Sequence, residues 1–235
     1  MSLTHGEIFR MTPHPQKPPM FSTPQQLAQR TGANTTDRFH YLQELVTEFR
    51  TTADQDAKRQ VLANLANFAY DPINYDWLWQ LNVVNLFLEC VPDPDDKIRE
   101  FGIGGLCNLC LEKRNKEYIN SKPSNIASII GCLSDDNEEI VLNATTILMF
   151  LITPASKKRN TFDNLFPLLS VCLIRLLKYS NTIPTDIVTE SVKTQMRQFA
   201  SSPSPRLSNL ARVFLEDYFE DRDVVSSSGA GVQTC

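Results

Sequence analysis

The chain has 235 residues, a net charge of −4 and a pI near 5.4, long enough to bury one sizeable core. A slightly acidic chain has no bulk electrostatic hold on nucleic acid, which needs a basic face, so contact with RNA is expected only locally or through a partner. The longest apolar run, LFPLLSVCLI ending at Ile174, is too short to cross a bilayer, and no membrane segment is expected.

Residues 1–36 hold Pro13, Pro15, Pro18, Pro19 and Pro24 among Gly, Thr and Gln, with little periodicity, and read as a disordered tail. They contain no apolar h-region, so no secretory signal is expected. Five of the six cysteines, Cys90, Cys107, Cys110, Cys132 and Cys172, sit in apolar runs, and Cys235 is the last residue. Reduced thiols in the nucleus or cytosol are the expected state.

From 37 to 220, glycine is scarce and apolar residues recur at helical spacing, which predicts an all-α domain. The helices repeat. LANFAYDPINYDWL from Leu65 overlays LCNLCLEKRNKEYI from Leu106 at an offset of 41, matching Asn67 to Asn108 and Asn74 to Asn115. DPDDKIREFGIGGLCNL from Asp93 overlays DDNEEIVLNATTILMFL from Asp135 at an offset of 42, matching Ile98 to Ile140 and Leu109 to Leu151. Between copies, Val84, Phe87 and Cys90 overlay Ile126, Ile129 and Cys132. A period of this length lies in the armadillo and HEAT range, and the short helix after Asn74 or Asn115 suits the three-helix armadillo unit. The expected fold is a short right-handed superhelical solenoid of armadillo type, about three to four repeats long. Asp93, Asp95, Asp135 and Asp136 stand where helix caps are needed.

At 100° per residue the third helix of each copy hides one face. That face is Leu62, Leu65, Ala66 and Ala69 in the first copy, then Ile103, Leu106, Cys107 and Cys110, then Thr145, Leu148, Met149 and Ile152. The opposite face carries Gln60, Ala63, Asn64 and Asn67, then Phe101, Gly104 and Asn108, then Asn143, Thr146 and Phe150. A groove asparagine holds an extended peptide through both a donor and an acceptor, or it bonds a neighbouring helix's carbonyl or faces water instead. The candidate partner-binding residues are Asn64, Asn67, Tyr70, Asp71, Phe101, Asn108, Asn143 and Phe150. Tyr75, Trp77 and Trp79 cluster after the first of these helices, with spacing suited to core and rim packing or to one partner anchor.

Beyond Pro154 the pattern weakens. SKKRN, with its basic Lys157, Lys158 and Arg159, and SNTIPTD read as loops around an apolar helix from Phe162 to Tyr179. An amphipathic helix is predicted from Pro205 to Phe219, with Leu207, Leu210, Ala211, Phe214 and Leu215 at core spacing. Residues 221–235 read as a second disordered tail.

Nothing in the chain spells a catalytic motif: there is no P-loop, G-x-G-x-x-G, H-E-x-x-H or nucleophile elbow. Cys107 and Cys110 form a C-x-x-C, open to a thiol redox reading, but they align with Ala66 and Ala69 on the hidden face. His5, His14 and His40 supply no second half of a zinc site. No enzyme, metal or cofactor is expected. A nuclear-import adaptor would need a tryptophan one turn before each groove asparagine, where this chain has Ala63, Gly104 and Thr146.

Several long strings resemble the armadillo repeat-containing protein 7 family. They are YLQELVTEF from Tyr41, QDAKRQVLANLANFAYDPINY from Gln55, FGIGGLCNLC from Phe101, NKEYI from Asn115, CLSDDNEEIVLNATTILM from Cys132 and RLSNLARVFLEDYF from Arg206. The resemblance implies a non-catalytic nuclear adaptor of pre-mRNA splicing, with a cytoplasmic share left open. It would pair with an RNA-recognition-motif protein similar to RNA-binding motif protein 48 within the minor spliceosome, reaching RNA indirectly alongside other spliceosomal proteins. A general armadillo peptide-binding adaptor outside splicing is the alternative. The chain departs from the family pattern in a longer stretch from Thr153 to Asp186 and in an extended N-terminal tail.

Overall fold

The computed structural model describes residues 21–23, 25–26, 37–152 and 187–219. Both expected tails lie largely outside these residues. So do the Lys157–Arg159 cluster and the Phe162 to Tyr179 helix.

Among the described residues the chain forms ten α-helices and no strand. They are α1 (Arg38–Thr51), α2 (Gln55–Ala69), α3 (Tyr75–Gln80), α4 (Val83–Cys90), α5 (Asp96–Leu109), α6 (Lys113–Asn120), α7 (Pro123–Gly131), α8 (Glu138–Ile152), α9 (Glu190–Ala200) and α10 (Pro205–Tyr218). Short 3-10 turns cover Pro72–Asn74 and Cys132–Ser134.

The helices start where local chemistry satisfies their first N–H groups. The Asp54 carboxylate accepts from the N–H groups of Asp56 and Ala57 to open α2. Asp95 does the same for Lys97 and Ile98 at α5, and Asn137 Oδ1 accepts from Glu139 N–H at α8. The Asp54 and Asp95 caps thus recur at the period of the sequence repeat. Of the other expected caps, Asp93 and Asp135 act one step outside, accepting from the N–H groups of Asp95 and Asn137 at 2.9 Å. Ser204 caps α10, and Pro205 and Pro123 occupy first-turn positions that need no donor. Asn82, at φ 56°, makes the left-handed turn between α3 and α4.

The third helices α2, α5 and α8 stack side by side, with α10 beyond α8; α1, α4, α7 and α9 back them as second helices. α3 and α6 are the short first helices. Every residue of the expected hidden face is buried except Ala66 and Cys107, which are half-buried against the core. Two buried asparagines repeat one device: Asn74 and Asn115 donate to the carbonyls of Phe68 and Leu109, six residues back, at 2.9 and 3.0 Å. Each holds the chain's exit from a third helix.

Two features went unread in the sequence. Helix α9 carries no repeat signal in the sequence, although Val192, Met196 and Phe199 have helical spacing; Val192 and Met196 are buried, and α9 packs on α10. Second, the fourth layer seats directly on the third. Polar partners at the helix starts, such as Arg59–Asp95, Arg99–Asp135 and Asn137–Glu100, lie 36 or 37 residues apart between the early layers, whereas Ser204–Glu138 and Arg206–Glu139 lie 66 and 67 apart between α10 and α8. In the sequence, then, the long stretch after Thr153 separates two layers that touch.

Candidate partner-binding face

The candidate face is the outward row of the third helices. On α2, Asn67 is exposed, and Asn64 is half-exposed with its Oδ1 accepting from Gln60 Nε2 at 3.3 Å. At the C-terminal edge of α2, Tyr70 is 37% exposed. Asp71 uses Oδ1 to accept from Ile73 N–H at 3.3 Å and Oδ2 to accept from Ser22 N–H at 3.0 Å. Tyr70 also meets the Phe21 ring, with centroids 5.7 Å apart.

On α5, Phe101 is half-buried against the core. Gly104 leaves a gap in the row: a Cβ there would lie 3.8 Å from Asn143 Nδ2, its nearest neighbour. Asn143 itself turns back to donate to the Glu139 carbonyl of its own helix at 2.9 Å.

Two expectations need correction. Asn108 does not offer its amide nitrogen to a ligand; it donates to the Ala66 carbonyl of the preceding third helix at 3.2 Å, while its own carbonyl accepts from the Tyr75 hydroxyl at 3.0 Å. The reason is stacking: α5 has a third helix before it, whereas α2 is the first third helix described, so its Asn67 has no such neighbour. Phe150, one repeat further, is 5% exposed and belongs to the core, as does Thr146 at 8%. The structure thus brings together Asn64, Asn67, Tyr70 and Asp71 on one side of α2, with Phe101, Gly104 and Asn143 on the helices that follow.

A charged ladder edges the N-terminal ends of the same helices. Arg59 Nε donates to Asp95 Oδ2, and Arg99 Nε to Asp135 Oδ2, each at 2.9 Å. Arg206 of α10 grips Glu139 of α8, donating from one guanidinium nitrogen to Oε2 at 3.1 Å and from the other to Oε1. The Arg59 hydrogen bond holds the Asp95 carboxyl below its ordinary range, and the Arg206 bond does so for Glu139. At Asp135 burial opposes ionisation, and the Arg99 bond together with the Asn137 N–H outweighs it. The periodic arginines carried a readable signal, since Arg59 and Asp95 repeat almost in register as Arg99 and Asp135.

The cysteines behind the face are packed side chains. Burial pushes the thiols of Cys90 and Cys132 up to about 12 and about 11, and that of Cys110 higher than normal as well. A thiol held protonated is a poor nucleophile. Cys110 Sγ donates to the Cys107 carbonyl at 3.0 Å, the behaviour of a packed side chain. Among the described residues no group of three or more His, Cys, Asp or Glu is placed to hold a metal ion. Trp79 lies under the Arg114 guanidinium at 4.9 Å and edge-on to Tyr118 at 6.0 Å, on the first helices and away from the third-helix row.

The chain is 44% identical over 190 residues to armadillo repeat-containing protein 7 of Mus musculus, covering 81% of this chain and 83% of that protein. Among solved structures, an engineered protein superimposes with a TM-score of 0.52 at 14% identity, over 73% of this chain and 59% of that one. Computationally designed armadillo repeat proteins for modular peptide recognition align with a TM-score of 0.47 at 14% identity, over 76% of this chain and 82% of theirs. No family model matches the chain.

Proposed function

The chain belongs to the armadillo repeat-containing protein 7 family, and on that premise we propose that it is a non-catalytic protein-binding scaffold of nuclear pre-mRNA splicing. Its partner in this reading is an RNA-recognition-motif protein, similar to RNA-binding motif protein 48, within the minor spliceosome. The observation that supports a binding role is the third-helix row itself. Asn64 and Asn67 present amide groups on one side of α2, Tyr70 keeps part of its ring open, and the row continues onto α5, where Gly104 leaves a gap. An extended partner segment laid there finds hydrogen bonds for its backbone and room for a side chain. The acidic chain binds the protein, and the partner's own sheet touches RNA.

The test is affinity purification of the tagged full chain from nuclear extract. Recovery of an RNA-recognition-motif protein with minor-spliceosome components is the expected outcome; recovery of neither sinks the splicing reading. Gly104→Lys fills the gap without crowding the interior, so it should weaken the recovered complex at least about tenfold while thermal stability holds. Unchanged binding would move the partner off this face.

A further inference from the structure

The C-terminal edge of α2 is already covered by the chain's own N-terminal segment. Phe21 lays its ring against Tyr70 at 5.7 Å, and Ser22 donates its backbone N–H to Asp71 Oδ2 at 3.0 Å. The segment is braced locally: Thr23 N–H donates to Gln26 Oε1 at 3.0 Å, and Gln26 N–H to Thr23 Oγ1 at 3.2 Å. Asp71 is a prepared acceptor, because its other carboxylate oxygen is held by Ile73 N–H in its own turn. These contacts join residues 49 positions apart. They use the chemistry by which a solenoid face takes up an extended peptide: one ring on a ring, and one backbone amide on a fixed acceptor.

We propose that Tyr70 and Asp71 form a subsite for an aromatic residue followed by a backbone N–H, with Phe21 and Ser22 as its resident intramolecular occupant. This rests on the reading of the α2 face as a binding face. A tether supplies an effective concentration on the order of millimolar, enough to populate a contact too weak to form between separate molecules. A partner segment of the same chemistry must displace the resident one, and its apparent affinity falls by the fraction of chains in which the subsite is open. Asn67 and Asn64, one and two turns earlier on α2, lie beyond the resident contacts and offer an incoming segment its first hold.

Two measurements on the full chain decide this without any partner protein. Amide hydrogen exchange should show Ser22 protected in the wild type and unprotected in Tyr70→Ala, with the α2 amides unchanged in both. Exchange of Ser22 at the unstructured-chain rate in the wild type would overturn the proposal. The second uses the acetylated peptide PPMFSTPQQ at millimolar concentration, read by amide chemical shifts of Tyr70, Asp71 and Ile73. In the double variant Phe21→Ala, Ser22→Pro the peptide should move these signals at roughly a tenth of the concentration the wild type needs. Equal response of the two chains, or none in the variant, would overturn it too. A failed purification of splicing partners leaves both results untouched, so the two readings fail separately.

Discussion

Three glycines of α5 differ in what a side chain would meet. A Cβ on Gly105 would fall 2.6 and 2.7 Å from ring carbons Cε2 and Cε1 of Phe87, a fully buried residue. One on Gly102 would lie 2.6 Å from Cys90 Cβ. These glycines let α5 approach α4. Gly105→Ala and Gly102→Ala should each cost about 1–3 kcal/mol by overpacking, whereas Gly104→Ala should be neutral or stabilise by up to about 1 kcal/mol, since it faces an open gap and gains helix propensity. Urea denaturation midpoints of the three variants give the ranking. The asparagine column supplies a second contrast. Asn108→Ala deprives the Ala66 carbonyl of its donor and should cost about 0.5–1.5 kcal/mol. Asn67→Ala, at the same register one repeat earlier, removes an exposed amide and should stay within about 0.5 kcal/mol. Equal costs in the same assay would show that both asparagines face equivalent surroundings.

At the scale of the helix, the third helices begin on short acidic or amide caps. Asp95 both caps α5 and receives Arg59 from α2, so one residue ends one element's disorder of unpaired N–H groups and sets the next element's spacing. Asp95→Ala should lose about 0.5–2 kcal/mol from the cap alone. Asp95→Asn keeps an amide oxygen for Lys97 and Ile98 N–H and should lose less. Thermal melts of the two variants distinguish capping from charge pairing; identical losses would assign the effect to the charge.

Over the whole molecule, the ladder Arg59–Asp95, Arg99–Asp135 and Arg206–Glu139 links α2 to the turn ahead of α5, α5 to the turn ahead of α8, and α8 to α10. All three carboxyls sit below their ordinary values in the folded chain. Their stabilisation is therefore complete above the unfolded carboxylate range of about 4, and is lost as pH falls through the lower folded values. The urea midpoint should be flat from pH 7 to about 5 and decline below about 4. Arg59→Gln, Arg99→Gln and Arg206→Gln combined should flatten that decline, and added salt should shrink it, because these pairs are partly open to solvent. An acid decline of unchanged steepness in the triple variant would place the titration elsewhere.

The all-helical fold and its repeat were legible because a period near 41 and a hidden stripe at 3.6-residue spacing are properties of the chain alone: each repeat must bury the same face, and Leu65 and Leu106 announce it. The hidden cysteines were legible for the same reason, standing where Ala66 and Ala69 stand one repeat earlier. The use of the outward face was not legible. Asn67 and Asn108 are the same letter at the same register, but only the second has a third helix stacked before it to take its amide. Phe150 reads as an outward residue on its own helix, yet it packs into the core of the stack. Tyr70 and Asp71 read as open positions, and a segment 49 residues upstream sits on them. Helical periodicity determines which side of each helix turns inward. Which outward groups remain available depends on what lies against them from other layers and distant segments, and only the tertiary structure decides that.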